Sequence, residues 1–426
     1  MNQKLFSYIE ACTTPYQAIA HTAGILRDAG YTHLNESEAW ALEAGKGYFV
    51  TRNGSSLIAF RVPEQIRGFM MTAAHCDSPC FKIKENAQLT GQNYVQLSVE
   101  RYGGMLMATW MDKPLSVAGR VLVRTEQGIE TRFVDFKEPV ALIPNLAIHM
   151  NRKANDGMTY NAAVDMLPLY SQDKEVSFRA RVAELAGVKE EDLLTTDLFL
   201  YNPQKGFAWD NFVSAPRLDD LQCAFGSLEA FLSAEEVKNV PVYCLFDNEE
   251  VGSTTKQGAA STFLKDVLLR ICEESGLSQN DYRRCVANSF LISCDNAHAV
   301  HPNHPEYMDK NHAVYMNGGI VIKYNAGQKY TSDAVSAAIF QAVCEQAEVP
   351  FQRYANRADL MGGSTLGNIA NTQVSLNTVD IGLAQLAMHS SFETAGAKDT
   401  EYMVRALKCF FEKRLTMTSD GTYTLE

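Results

Sequence analysis

Leu245-Phe246-Asp247-Asn248-Glu249-Glu250-Val251-Gly252-Ser253 follows directly on the apolar run Val240-Pro241-Val242-Tyr243-Cys244. A short apolar run rich in β-branched and aromatic residues reads as a buried strand, of the kind found in sheets covered on both faces. The turn after it leaves two adjacent glutamates just past the strand's carboxyl end, where open α/β sheets place their ligands. Anions in a cleft need a cation or a proton to compensate them. Two glutamates side by side therefore suit a division of labour, one holding a metal and one moving a proton. A lone Glu-Glu pair in a turn is more often surface decoration, so the reading rests on its company.

Further strand ends supply that company. Gly68 precedes the mostly apolar run Phe69 to Ala74, a buried strand that delivers His75-Cys76-Asp77-Ser78-Pro79. Leu221, Ala224, Phe225, Leu228, Phe231 and Leu232 have helical spacing directly after Arg217-Leu218-Asp219-Asp220. Strands are expected at 289 to 294, ending before Asp295, and at 319 to 324. A helix over 334 to 347, a glycine-rich turn Gly362 to Gly367, a strand over 374 to 381 and a helix over 402 to 415 complete the pattern. Toward the amino end, Thr14-Pro15 opens a helix that Gly30 closes, and Asn53-Gly54 joins two strands as a hairpin. From about 86 to 215 the texture changes to short alternating segments, such as Val95 to Val99 and Val121 to Arg124, with a turn at Glu126-Gln127-Gly128. Residues 151 to 173 read as a long polar loop and 182 to 194 as a weak helix. The expected organisation is an α/β domain, 1–85 with 216–426, interrupted by a β-rich domain at 86–215.

Composition bounds the function. The chain has 426 residues and a formal net charge of -12, which argues against a nucleic-acid surface and against attraction to anionic membranes. The first ten residues lack the apolar core of a secretory signal, and no window approaches the ~18 apolar residues of a membrane span. Several of the ten cysteines sit within apolar runs, as buried thiols do in a reducing compartment. Cys76 and Cys80 could be taken for half a zinc site, but no second pair at ribbon spacing answers them. A cytoplasmic protein is expected.

His75 with Asp77, Asp219 with Asp220, Glu249 with Glu250, Asp295, and His389 thus stand on separate segments at strand ends or helix starts. Histidine nitrogen with carboxylate oxygen suits zinc, manganese or cobalt, and the lack of cysteine among them points away from a structural zinc site. Two histidines and three carboxylates hold two metals if one carboxylate bridges, which leaves one glutamate as a base. Each residue alone has a plainer reading: a hydrogen-bonded histidine, an acid in a helix's first turn, a turn cap. His298, His301 and His304 form a second histidine cluster, but Pro302 and Pro305 break any regular helical spacing of ligands there.

Ala74-His75-Cys76-Asp77-Ser78-Pro79, Ser214-Ala215-Pro216-Arg217-Leu218-Asp219, Asp247 to Ser253, Asp295 to Asn303 and Gln385-Leu386-Ala387-Met388-His389-Ser390 together resemble the aspartyl aminopeptidase family of dinuclear metallopeptidases, in order and over nearly the whole chain. The resemblance implies an α/β catalytic domain, a central mixed sheet flanked by helices, split by a β-rich dimerisation domain. It implies two divalent ions, zinc foremost with cobalt or manganese as alternatives. The ligands would be His75, Asp219, Glu250, Asp295 and His389, with Asp219 bridging, His75 and Asp295 on one ion, and Glu250 and His389 on the other. Glu249 would be the general base acting on a metal-bridged hydroxide, and Asp77 would orient His75. Substrate contacts would come from His298, Lys323 and Tyr330, and from His149 of a neighbouring subunit. The implied activity is removal of the N-terminal residue from peptides, with Asp or Glu preferred, by a homo-oligomer built as a tetrahedral dodecamer of dimers. A metal-dependent deacylase or carboxypeptidase would use the same ligand types. A non-catalytic scaffold would lack the base or a ligand, and every one is present.

Overall fold

Val240–Phe246, Phe69–His75, Phe290–Cys294 and Asn377–Gly382 run side by side as parallel strands in the computed structural model, which describes residues 1–426. Nearly every residue in them is buried, which explains why their sequences are continuous apolar runs and not alternating ones. The side-chain period of two still operates, because it sorts the residues onto two covered faces. Met70, Tyr243, Leu245, Phe290, Ile292 and Ile381 point into one core with helices Leu218–Ser233 and Asp399–Phe411. Phe69, Met71, Val242, Cys244 and Leu291 point into another with helix Phe263–Glu274. Each fully buried Leu, Ile or Phe contributes roughly 1.5–3 kcal/mol.

Five further strands extend this sheet to nine. Ile320–Tyr324 runs antiparallel to Asn377–Gly382, with Phe351–Ala355 parallel beyond it. On the other side Ser56–Arg61 runs antiparallel to Val240–Phe246 and pairs with Gly47–Arg52, and Thr32–Leu34 forms the edge. Asn53 and Gly54 both have positive φ, 60° and 65°, the conformation the two-residue hairpin requires. The sheet is mixed, as expected, and its parallel centre brings His75, Asp247 to Glu250, Asp295 and Gly382 to one edge.

The chain divides into two compact units, one of Met1–Asp77, Gly206–Met388 and Glu393–Glu426, the other of Ser78–Lys205 with His389–Phe392. In the first, a five-stranded sheet runs in the order Phe207–Trp209, Phe212–Ala215, Glu393–Gly396, Ala384–Leu386 and Ala297–His298. It ties the segment after Asp295 to the segment after Gly382. The second unit is built on a six-stranded antiparallel sheet, against which Phe178, Val182, Ala183 and Ala186 of helix Phe178–Ala186 pack.

Two helices lie elsewhere than expected. The helix expected at 182 to 194 spans Phe178–Ala186, since Ser177 caps it by accepting from the Ala180 N–H, and Gly187, at φ 68°, ends it. The closing helix, expected at 402 to 415, spans Asp399–Phe411 and is followed by a hairpin, Leu415–Ser419 with Thr422–Leu425. The acids Asp399 and Glu401 in its first turn are the start signal that the apolar spacing obscured.

Two sites make the packing testable. Gly382 lies so close to the exit of Phe290–Cys294 that a Cβ there would stand 2.0 Å from the Asp295 carbonyl oxygen. Gly382→Ala is expected to cost about 1–3 kcal/mol of stability through this overpacking, read as a lower urea midpoint. Asp399 is fully buried and accepts from the Asn317 N–H at 2.7 Å and the Gly319 N–H at 3.2 Å. Burial pushes its carboxyl up to about 6, with those two amides and Lys398 opposing. The folded chain then binds this proton more tightly than the unfolded one, whose value is about 3.9, so this residue's contribution to stability falls as pH rises from about 4 to about 6 and is constant above. Asp399→Asn is expected to remove that downward slope, measured as the pH dependence of the difference in unfolding free energy between the two proteins.

Candidate metal centre

His75 ends its strand and is 1% exposed. Its Nδ1 lies 3.0 Å from the Asp77 carbonyl oxygen and 3.4 Å from Asp77 Oδ1. A carbonyl can only accept, so Nδ1 carries the proton and the neutral ring holds its lone pair on Nε2. Nε2 faces Asp219 Oδ1 at 3.5 Å. Asp77 does more than hold the ring. Its Oδ1 accepts from the Glu249 N–H and its Oδ2 from the Glu250 N–H, both at 3.1 Å. One buried residue thus holds the histidine of one strand end through its carbonyl, with its carboxylate nearby, and the glutamate turn of the next through that carboxylate.

Asp219 sits in the first turn of helix Leu218–Ser233, 2% exposed, with φ −82° and ψ 105°. Ligand atoms of His75, Asp219 and Glu250 all lie within 4.8 Å of one another, and so do those of Asp219, Asp220 and Asp295. Two ligands on a tetrahedral zinc ion with bonds near 2.1 Å stand about 3.4 Å apart, so both groups are close enough to close on an ion with small adjustments. Asp219 belongs to both. By distance Glu250 goes with His75, and Asp295 with Asp220, whereas the resemblance pairs His75 with Asp295. Asp220 is fully buried, its Oδ2 accepts from the His75 N–H at 3.3 Å, and its Oδ1 has no hydrogen-bond partner.

The charge balance of this edge is heavily negative. Glu249 is raised to about 8, chiefly by burial, with Asp295, Asp77 and Asp219 adding and His75 opposing. Burial raises Asp295 and Asp220 as well. For His75, burial would lower the value, but hydrogen bonds to Asp219 and Asp77 and the charge of Asp220 outweigh it, so its proton affinity rises well above the usual range. A field that favours a positive imidazole favours a divalent cation more. The donor set, imidazole and carboxylate without thiolate, fits zinc, manganese or cobalt.

Lys323 is the ammonium in this region, and it is 2% exposed. Its Nζ donates to the Asp295 carbonyl at 2.7 Å and the Asn296 carbonyl at 3.3 Å, and lies 3.8 Å from Asp295 Oδ1. Lys323 therefore stands behind Asp295. Tyr330 is also buried, with the ammonium 5.2 Å from its ring centroid. His298 is exposed. Tyr354, which pairs across the sheet with Lys323, stands 6.4 Å from both the Tyr330 and His298 rings. In the second unit His149 is exposed, and His389, at φ 67°, directs Nδ1 at the Gly104 carbonyl, 2.7 Å away. That tautomer, like that of His75, has its lone pair on Nε2. His301 differs: its Nδ1 accepts from the Asn303 N–H at 3.2 Å, which puts the proton on Nε2.

The glycine-rich turn is anchored from beneath. Buried Asp380 accepts from Thr331 N–H and Oγ1, each at 2.5 Å, and from Thr365 Oγ1 at 2.6 Å. A Cβ on Gly367 would meet Thr331 Oγ1 at 2.5 Å. Asp380, Tyr354 and Glu393 near this edge escaped the sequence reading, and Asn296 and Gln385, though inside the quoted motifs, had no role there, because a polar residue gives no signal in sequence of what it faces when buried.

Residues 8–411 match the family described as aminopeptidase I zinc metalloprotease (M18). A probable M18 family aminopeptidase 2 of Clostridium acetobutylicum is 41% identical over 423 residues, 96% of this chain and 98% of that one. Among solved structures, Ape4 in its complex with Nbr1 superimposes with a TM-score of 0.93 at 34% identity, over 96% of this chain and 85% of the other. The Saccharomyces cerevisiae mApe1 dodecamer gives 0.84 at 28% identity, over 96% of both chains. The chain belongs to the M18 family of zinc metalloaminopeptidases, hydrolases of the peptide bond.

Proposed function

We propose that this aminopeptidase removes N-terminal residues from peptides at a two-ion centre, with His75, Asp219, Glu250, Asp295 and His389 as ligands and Asp219 shared between the ions. The single observation that carries the reading is the gathering of His75, Asp219 and Glu250 ligand atoms within 4.8 Å, with Asp219 repeated in the group that holds Asp295. Bound divalent cations supply two things: a lowered pKa for water and polarisation of the scissile carbonyl. The chain's own residues do the rest. Asp77 orients His75 and presents the Glu249-Glu250 turn. Glu249, half-buried and with its proton affinity raised, takes a proton from the attacking water and returns it to the leaving amine.

Acidic N-terminal residues are the proposed preference, with His298, Tyr330, Lys323 and a neighbouring subunit's His149 around the substrate. The second unit, residues 78–205 in the main, serves dimerisation in this reading, and the dodecamer of mApe1 supports a dodecamer of dimers here. Zinc is the proposed native ion, and the cytoplasm the proposed compartment. No helix is long and apolar enough to cross a membrane.

Exhaustive chelation is expected to abolish release of N-terminal residues, and zinc, cobalt or manganese to restore it. Glu249→Gln keeps size and shape but cannot take a proton, so kcat should fall about 10²- to 10⁴-fold with bound metal unchanged. If Glu249→Gln retains wild-type kcat, the base is another group. A panel of aminoacyl p-nitroanilides tests specificity: the highest kcat/KM on Asp and Glu supports the acidic preference, and a maximum on neutral residues overturns it.

A further inference from the structure

The peptide that joins Leu218 to Asp219 is held on both of its polar groups by one chain of buried side chains. Its carbonyl, that of Leu218, accepts from Asn296 Nδ2 at 3.1 Å. Its N–H, that of Asp219, donates to Glu393 Oε2 at 3.1 Å. Asn296 Nδ2 also donates to Gln385 Oε1 at 2.9 Å, and Gln385 Nε2 donates to Glu393 Oε1 at 3.5 Å, which closes the chain into a ring. Asn296 and Glu393 are 2% exposed and Gln385 1%. The ring is braced from outside: Asn296 Oδ1 accepts from the Cys223 thiol at 3.1 Å, and Nδ2 faces Gln222 Oε1 at 3.2 Å.

The direction of every hydrogen bond in the ring follows from its two backbone ends. The Asp219 N–H can only donate, so Glu393 accepts. A carboxylate can only accept, so Gln385 must turn its NH2 toward Glu393 and its oxygen toward Asn296. Asn296 must then donate, which it also does to the Leu218 carbonyl. A buried carboxylate and two buried amides are costly unless matched in this way. Their common product is a peptide plane fixed on both sides at the residue whose carboxylate lies in both candidate ligand groups. Asn296 is also the residue after Asp295, so the ring sets two ligand-bearing segments against each other.

We infer that Asn296, Gln385 and Glu393 are positioning residues that clamp the Leu218–Asp219 peptide and thereby aim the Asp219 carboxylate at the metal ions, an inference that rests on the proposed role of Asp219 as the shared ligand. The ring suggests its own test, because exchanging the two residues at 385 and 393 preserves it. In the double variant Gln385→Glu with Glu393→Gln, the new glutamine accepts from the Asp219 N–H and donates to the new glutamate, which accepts from Asn296. Charge and donor count are unchanged. Each single variant instead sets like against like: two NH2 groups in Glu393→Gln, two carboxylates in Gln385→Glu.

The measurement is zinc affinity and stoichiometry by competition with a chromophoric chelator, on purified full-length chain, with kcat and KM alongside. Each single variant is expected to bind zinc about 10- to 100-fold more weakly, the range seen when groups supporting a ligand are removed, and the double variant to recover most of that loss. A role in stability alone predicts lower melting temperatures with zinc affinity unchanged in all three, and that result overturns the inference. So does a folded double variant that binds zinc no better than Glu393→Gln. Where a single variant fails to fold, the double variant still decides: near-wild-type affinity supports the clamp, and a folded protein with weak zinc binding refutes it. Asp219→Ala separates the layers, since wild-type stoichiometry and affinity there would remove the shared-ligand reading itself, while loss of zinc there with intact binding in Glu393→Gln would remove only the clamp.

Discussion

Too many carboxylates and too few cations at one edge of a sheet is the condition around which this protein is arranged. Asp219, Asp220, Asp295, Glu249 and Glu250 converge where the parallel strands end, and the buried ammonium of Lys323 stands against Asp295. Such a concentration of charge is unfavourable away from water unless cations, protons or N–H groups meet it. The fold supplies N–H groups: Asp77 receives two, Asp220 one, and Glu393 the one from Asp219. What N–H groups leave over is negative charge of the kind a divalent cation neutralises.

The parallel centre of the sheet makes this convergence cheap to specify. Parallel neighbours end on the same side, so His75, the Glu249-Glu250 turn and Asp295 arrive together without any long loop to position them. Antiparallel strands would have sent alternate residues to opposite edges. The small sheet then draws in what lies further along the chain, pairing Ala297–His298 with Ala384–Leu386 and so setting Asn296 beside Gln385 and Glu393.

The apolar runs at 69 to 74, 240 to 246 and 289 to 294 were readable as buried strands because a short segment that is hydrophobic on every side must be covered on every side, and the middle of a sheet does that. The acids after them stood out as candidate site residues because charge at such positions needs a partner. Segments whose course depends on tertiary contacts were not. Helix Phe178–Ala186 starts at a serine cap and stops at a left-handed glycine, local signals that outweighed the weak apolar periodicity further on. Asp77 was recognised as a support for His75, but its second task, holding two backbone N–H groups of a turn 172 residues away, has no trace in sequence. Asn296, Gln385 and Glu393 are ordinary polar residues in sequence and acquire meaning only when the small sheet brings them together.

Lys323 has a structural partner as well as a proposed role toward substrate. As a cation in the right motif it suggests a partner for an acidic substrate side chain. In this chain its ammonium has two backbone carbonyls and a carboxylate of the centre around it and almost no exposure. A charge in that position acts on Asp295 first: it offsets the burial that raises this carboxylate's proton affinity. Its field reaches a substrate only through the low-dielectric wall that it helps to form. Of the three residues of the first unit proposed to meet the substrate, His298 is the exposed one, while Lys323 and Tyr330 are buried.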